Sequence, residues 1–407
     1  MDSPDDTRKV LIIGAGLGGL ALAQVLHNHC VPFELFERDE APSARKQGWA
    51  VALVEQVSII ALKELLPVET IKNLNTTSVN YETGDNDELA FVNAVTGETA
   101  GKVGGVAYGL PGSIVRASRE ALRAYLWQAN SLRVQPNKHF VRYEEDENGV
   151  TAWFADGSSS RGSLLVAADG LHSHVREQLL GNSAQKPVQS QYVPIFGELD
   201  LPPQQYEPLR RIANAAVLTS GPSLRQQIGM LSMNEDGSKA HYFWALMLRR
   251  DDPTELADWV GNASSQELYD FAIKHSQHLH PTMNSFIKYG GPDAMIHPQP
   301  KFQEYVPPDT LPVGRVTLLG DAAHAMIPLR GAGANTAILD ACDLGKLLIN
   351  ARNERNDPVS VVEPYLAKMI PRGKEAVLAS RAAGNADGDD PAAYLKKFQR
   401  EKQQNKE

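Results

Sequence analysis

Only two cysteines, Cys30 and Cys342, stand in 407 residues. That is too few for a disulfide framework or, alone, a zinc site, and it fits a reducing compartment. A basic excess is also missing. Forty Lys and Arg face 49 Asp and Glu, a net charge of −9, which argues against a nucleic-acid partner. No run approaches the roughly 20 continuous apolar residues that cross a bilayer. The stretch from Met1 to Lys9 is acidic and polar, unlike a secretory leader. The expectation is a cytoplasmic protein without membrane or nucleic-acid contacts. Hydrophobic (42%) and charged (22%) fractions are ordinary for a globular chain, so disorder and fibrous repeats are excluded. The length suits two domains, or one domain with a large insertion.

Against those absences, glycine is placed with purpose. Val10-Leu-Ile-Ile13 reads as a buried parallel strand. Gly14-Ala-Gly16-Leu-Gly18-Gly19 follows, then Leu20, Leu22, Ala23 and Leu26 at helical spacing. This is G-x-G-x-x-G in a strand, tight turn and helix. Gly14 permits the turn, Gly16 lets a pyrophosphate approach the backbone, and Gly19 lets strand and helix pack closely. The helix start attracts phosphate through its free N–H groups and dipole. A second strand, Phe33 to Phe36, ends in Glu37, about 18 residues beyond Gly19, where a carboxylate can accept hydrogen bonds from a ribose diol. A dinucleotide is expected here, and the motif alone leaves NAD(P) and FAD open.

Two later strand ends narrow the choice. Ser163 to Ala168 leads into Asp169-Gly170 and a helix through Val175 and Leu179. Arg315 to Leu319 leads into Gly320-Asp321, and the chain continues through Pro328-Leu-Arg-Gly331-Ala-Gly333-Ala334-Asn335 into a helix of period near 3.6. Asp321 is placed to hydrogen-bond a sugar-alcohol chain. Gly331 and Gly333 bring bare N–H groups and a helix start to a point where negative charge collects, as it does on a reduced flavin.

With these motifs the chain resembles the group A flavoprotein monooxygenases, the para-hydroxybenzoate hydroxylase-like family. Its members include salicylate hydroxylase-like, tetracycline-inactivating and secondary-metabolism hydroxylases. The Pro328-Leu-Arg330-Gly331 wording resembles the fungal-type branch. The resemblance implies an α/β fold: a Rossmann-like, glutathione-reductase-type FAD-binding domain, an inserted α+β substrate domain over the flavin, and a C-terminal helical tail. It places the FAD domain at 1–75, 105–185 and 300–345, the substrate sheet at 76–104 and 186–299, and the helical region at 346–407. Prolines punctuate the entry and exit of the long insertion.

Residue by residue, the resemblance implies FAD contacts from Gly14, Gly16, Gly19, Glu37, Ala50, Arg116, Asp321, Pro328, Gly331, Gly333, Ala334 and Asn335. Arg116 matches the family arginine that opens a helix and touches the cofactor. Asp169 ties the FAD site to transient docking of NADPH or NADH, and Arg45 lies where it can reach a phosphate. His324 is read as structural. His172 and His174 lack the cysteine or carboxylate company of a metal site. O2 is the co-substrate. One of its atoms would enter a small aromatic or heteroaromatic metabolite by way of a flavin C4a-hydroperoxide, the protein acting as a monomer or weak homodimer.

Leu224 to Met233 and His241 to Leu248 read as strands around the turn Asn234 to Gly237. Strand parity groups Arg225 with Gln227, and Tyr242 with Trp244. Arg225 and Tyr242 are the expected catalytic pair, able to favour an ionised phenol, with Gln227 and Trp244 lining the substrate pocket. The opposite parity, Gln226, Ile228, His241 and Phe243 inward, stays open. Trp49 and Tyr108 are candidates for the entrance. Two rival functions remain: an FAD reductase or oxidase of the same fold, and a non-catalytic flavoprotein.

Overall fold

Val10 to Ile13 is buried at every position, as a strand covered on both faces must be. In the computed structural model, which describes residues 8–46, 48–80, 87–104, 114–221 and 224–385, it sits at the centre of a parallel sheet. The strand order across that sheet is Val316–Leu318, Leu164–Ala167, Val10–Ile13, Phe33–Phe36 and Val134–Gln135. All four pairings are parallel. The helix Leu17–Asn28 packs against the sheet and against the long helix Gly333–Glu354, within one apolar core. A three-stranded antiparallel meander, Phe140 to Gly162, extends from this unit.

A second, six-stranded sheet forms a roof. Its order is Tyr192–Leu201, Ala240–Arg249, Leu224–Met233, Ala216–Gly221, Glu88–Asn93 and Thr99–Gly104. The register aligns Phe91, Leu218, Gln227, Ala245 and Phe196 in one row, and Leu89, Ala216, Gly229, Phe243 and Glu198 in the next. Because side chains alternate along each strand, these ten residues share one face. The other face carries Val217, Ile228, Tyr242, Trp244 and Leu246 into a separate core beneath the helices Thr254–Asn262, Ser265–Ser276 and Pro281–Gly290.

The roof meets the parallel sheet through an antiparallel ribbon, Ala50–Val54 with Ile114–Ser118. A final helix, Val362–Asn385, lies across both units. Tyr108 falls outside the described residues.

Candidate active site

A cleft of about 690 Å³ runs between the parallel sheet and the roof, within the range of small-molecule and cofactor sites. Gly14, Gly16, Gly18 and Gly19 line one end of it, together with Glu37, Arg38, Asp169 and Gly170. Gly14 has φ +105°, and a Cβ there would stand 2.4 Å from the Ala168 carbonyl oxygen. A Cβ on Gly19 would come within 2.0 Å of the Gly14 oxygen, whereas one on Gly16 would meet nothing within 4 Å. The first and third glycines are therefore fixed by packing, and the second presents bare backbone to open space.

Glu37 braces this turn. Its carboxylate accepts from Ala15 N–H at 2.7 Å and Asp39 N–H at 3.0 Å, and it pairs with Arg123 at 3.3 Å. Arg123 is almost fully buried. It donates to the Ala15 and Pro42 carbonyls and pairs with Asp39 at 3.0 Å. The sequence reading missed this arginine, which sits on a helix without any motif of its own.

Asp169 uses one carboxylate oxygen to accept from Val175 N–H at 3.3 Å, a capping role at the helix His174–Leu180. Its other oxygen is buried and has no hydrogen-bond partner among the described residues. Burial pushes its pKa upward, only partly offset by the Ser173 and Val175 hydrogen bonds. Arg176, on that helix, donates to Leu171 O at 2.6 Å and Ala322 O at 2.8 Å and lies over the Tyr305 ring. It thereby ties the Asp169-Gly170 turn to the Gly320-Asp321 turn. Arg176→Met is expected to lose about 3 kcal/mol of folding stability, since two carbonyls lose charge-assisted donors. Urea unfolding of the apoprotein measures this, and an unchanged midpoint would remove Arg176 as the brace.

At the second turn Asp321 is exposed to the cleft, its Oδ1 beside Gly333. Behind it His324 and Asp340 form a fully buried pair. Asp340 also accepts from Gly320 N–H at 3.1 Å and from Arg372 at 2.7 Å. Burial opposes the charge on His324, but the adjacent Asp340 carboxylate wins and raises its pKa. Asp340 is correspondingly held low by His324 and Arg372 against its own burial.

Pro328, Gly331, Gly333 and Ala334 line the cleft beside Ala50. Asn335 does not. Its amide donates to Ala52 O and Gly331 O and accepts from Val54 N–H and Ser58 Oγ–H, so all its polar capacity fastens this loop to the ribbon. The Asn335 side chain therefore positions the start of the helix Gly333–Glu354 and does not itself line the cleft.

Arg116 lines the cleft from the ribbon strand, not from a helix start. The residue that opens the helix Arg119–Gln128 is Arg119, which also lines the cleft. Arg119 has its charge supported by Asp321, while burial and the neighbouring Arg123 and Arg45 pull its pKa down. The stretch Arg119-Glu-Ala-Leu122 supplies the spacing that identifies it. Arg45 lies nearby, paired with Asp39 at 2.8 Å.

At the roof end the lining is Leu89, Phe91, Leu218, Phe196, Phe243 and Phe302, with Gln227 as the polar exception. The first-strand parity thus puts Gln227 in the cleft. The second-strand reading is corrected: Gln227 pairs with Ala245, so Phe243 faces inward while Tyr242 and Trp244 face the opposite core. Burial pushes the Tyr242 phenol well above its ordinary value, and no cleft group touches it. Arg225 shares the Gln227 face but lies one row further out. Its guanidinium donates to Ala383 O at 2.8 Å and to Tyr192 Oη at 3.4 Å, under the final helix and off the cleft. Neither member of the expected catalytic pair reaches the site.

Trp49 stacks on Phe196 with centroids 4.0 Å apart, and its Nε1–H donates to Glu198, as does Lys46. His241 reaches Glu198 at 3.3 Å and Asp200 at 2.8 Å. Lys46 and Trp49 are thereby strapped to the edge of the roof.

The FAD binding domain family matches residues 7–259 and 308–380. The FAD-dependent monooxygenase thnD of Trichoderma harzianum is 31% identical over 395 residues, covering 91% of this chain and 92% of that protein. Among solved structures, Klebsiella pneumoniae HpxO complexed with FAD and uric acid aligns with TM-score 0.74 and 23% identity over 96% of this chain and 92% of its own. A salicylate hydroxylase substrate complex aligns with TM-score 0.71 and 22% identity over the same shares. The chain belongs to this FAD-binding family, the class A flavin monooxygenases. It is an FAD-dependent monooxygenase with the family's mixed α/β fold.

Proposed function

We propose that this monooxygenase uses NADPH or NADH to hydroxylate a small aromatic or heteroaromatic metabolite of secondary metabolism. The observation that carries the reading is the cleft itself. One end has the bare-backbone turns and acidic strand ends suited to a dinucleotide, and the other is an aromatic and aliphatic face with one amide. The residues fit FAD: Gly14 and Gly19 hold a turn that side chains would close, and Gly16 leaves open space for a pyrophosphate.

Glu37 would take the ribose of the adenosine, Arg119 and Arg45 the phosphates, and Asp321 the ribityl hydroxyls. The Gly331–Ala334 backbone and Ala50 would border the flavin ring. FAD, once reduced, supplies activated oxygen from O2 to the substrate. The protein's own part is to orient the ring against Phe91, Leu218 and Phe243 and to exclude water from that contact. The carboxylate of Asp321 would also fix Arg119 in place, and the Trp49–Glu198 strap would close the mouth.

Arg119→Ala is expected to weaken FAD binding tenfold or more with little loss of apoprotein stability. Fluorescence titration of apoprotein with FAD checks this, and an unchanged affinity would take Arg119 out of the cofactor set. The aromatic reading is tested by incubating the FAD-loaded protein, NADPH or NADH and a panel of phenols, benzoates and hydroxylated heteroaromatics under 18O2. One labelled oxygen in an aromatic product supports it. Nicotinamide oxidation yielding only hydrogen peroxide across the panel would overturn it.

A further inference from the structure

Arg116 enters the cleft with 3% of its surface exposed. Among the described residues, its Nε and Nη2 have no hydrogen-bond partner. Burial drags the guanidinium pKa down to about 10, and the Asp87 charge offsets that only in part. The Asp87 carboxylate accepts from the Arg116 backbone N–H at 2.7 Å and from Ser78 Oγ–H at 3.2 Å. Buried polar groups are paired as a rule, and an unpaired cation in a ligand cleft is a group that awaits its partner.

Its position says which partner. A Cβ on Gly229 would lie 2.7 Å from Arg116 Nη2, so the guanidinium abuts the roof where that strand has no side chain. Gly229 lies in the cleft-facing row with Leu89 and Phe243, and Gln227 stands in the adjoining row. The Gln227 amide makes no hydrogen bond to the described residues, and it too lines the cleft. The phosphate end has a separate basic set. Arg119 feels Asp321, Arg123 and Arg45, whereas Asp87 is the charge that acts on Arg116. A guanidinium with two unused donors, its charge only partly offset by Asp87, and one amide without a described partner therefore meet on an otherwise apolar aromatic wall.

We propose that Arg116 is the counter-charge for an aromatic anion, an arene carboxylate or a phenolate, with Gln227 taking a second polar substituent on the same ring. This rests on the aromatic-substrate reading above and assigns Arg116 to the substrate, where the family resemblance gave it to FAD. A charge-assisted pair in this dry setting discriminates strongly against a neutral ring of the same shape, because that ring would leave the guanidinium unpaired. A phenol held ionised is also the more electron-rich acceptor of oxygen.

The test titrates FAD-loaded, full-length protein with benzoate, salicylate and 2,4-dihydroxybenzoate, each against its amide, and with 4-nitrophenolate against nitrobenzene. Perturbation of the flavin absorption reads binding. At least one acid or phenolate is expected to bind tenfold or more tightly than its neutral counterpart, and which arm does so separates carboxylate from phenolate. Arg116→Gln should erase that preference by weakening the anion at least tenfold while moving the neutral ligand, and the affinity of apoprotein for FAD, less than threefold. Arg116→Lys should restore part of the preference, and it carries the comparison if the Gln variant does not fold.

A wild-type protein that prefers no anion overturns the proposal. So does an Arg116→Gln protein that loses FAD affinity with its anion preference intact, or weakens acid and amide alike. If the neutral ligands bind and stimulate NADPH consumption as well as the anions do, this proposal falls and the aromatic reading stands. If no ligand of either kind does so, both fall.

Discussion

Gly14→Ala is expected to yield a protein that purifies without flavin and unfolds about 2–6 kcal/mol more easily than the wild type. Two effects add. The backbone at φ +105° is a conformation that residues with a Cβ rarely adopt, which costs on the order of 1–3 kcal/mol. The new methyl also stands 2.4 Å from the Ala168 oxygen, and neither is a flexible side-chain end that could yield. Overpacking of that kind costs about 1–3 kcal/mol more. Set against a typical stability of roughly 5–15 kcal/mol, the sum is severe. Gly16→Ala is the informative contrast. Its Cβ meets nothing within 4 Å, so the apoprotein should keep its stability while FAD affinity falls, because the methyl stands where the pyrophosphate would approach. Denaturant unfolding of both apoproteins, with the flavin absorbance of each as purified, decides it. Wild-type stability and flavin content in Gly14→Ala would refute the account of the turn.

The second large effect belongs to Asp340. Asp340→Asn leaves the fully enclosed His324 facing a neutral amide, while the partly exposed Arg372 keeps its Asp343 partner, and breaking a buried pair such as His324–Asp340 costs about 3–5 kcal/mol. The pH dependence carries a distinct signature. His324 has its pKa raised in the fold, so its contribution is whole below the ordinary histidine value of 6.5 and is lost as pH climbs through the raised value. Asp340 has its pKa lowered, so its contribution is whole above the ordinary aspartate value of 3.8 and is lost as pH drops through the lowered one. Both are complete between pH 3.8 and 6.5. Urea midpoints from pH 4 to pH 9 should show the wild type losing this increment on the alkaline side, and the Asn variant should lack that loss. Parallel profiles would show that the pair does not titrate as described. FAD affinity should fall as well, since Gly320 N–H hangs on the same carboxylate.

What the chain discloses before folding follows the range of its interactions. The glycine turn, the Asp169-Gly170 and Gly320-Asp321 strand ends and the Gly331–Ala334 loop are local patterns, each a few residues long. All of them line the cleft. The roof strands were readable from their apolar runs, but which face looks inward depends on the register between strands. Parity within Leu224–Met233 grouped Arg225 with Gln227, yet only the pairing of Gln227 with Ala245 shows that Phe243, not Tyr242, joins them. Arg225 shows the same limit along a strand, for one row separates a cleft position from one sealed by the final helix. Asn335 shows it at a helix start, where four hydrogen bonds to residues as distant as Ala52 and Ser58 absorb a side chain that adjacency assigned to the cofactor. Arg123 and Arg176 brace the turns from helix positions outside the motifs, and nothing short of the fold announces them. Arg116 and Arg119 stand three residues apart, and confusing them was a matter of whether the strand or the helix supplies the cation.

The order of strands in the parallel sheet sets a schedule for synthesis. Val10–Ile13 and its glycine turn leave the ribosome first, but the strand Val316–Leu318 and the loop beside Ala334 follow roughly 300 residues later. At about 5–20 residues per second that interval is on the order of 15–60 s. Until it ends the nascent chain carries one wall of the cleft without the other, and once Ala240–Arg249 is made the roof faces a cleft that still lacks the Gly320-Asp321 turn and the Gly331–Ala334 segment. A flavin held by both walls would bind only after the last of them is made. It can only lock a structure whose last wall has already arrived, so in flavin-starved cells the chain should accumulate as folded apoprotein, not as nascent-chain aggregates.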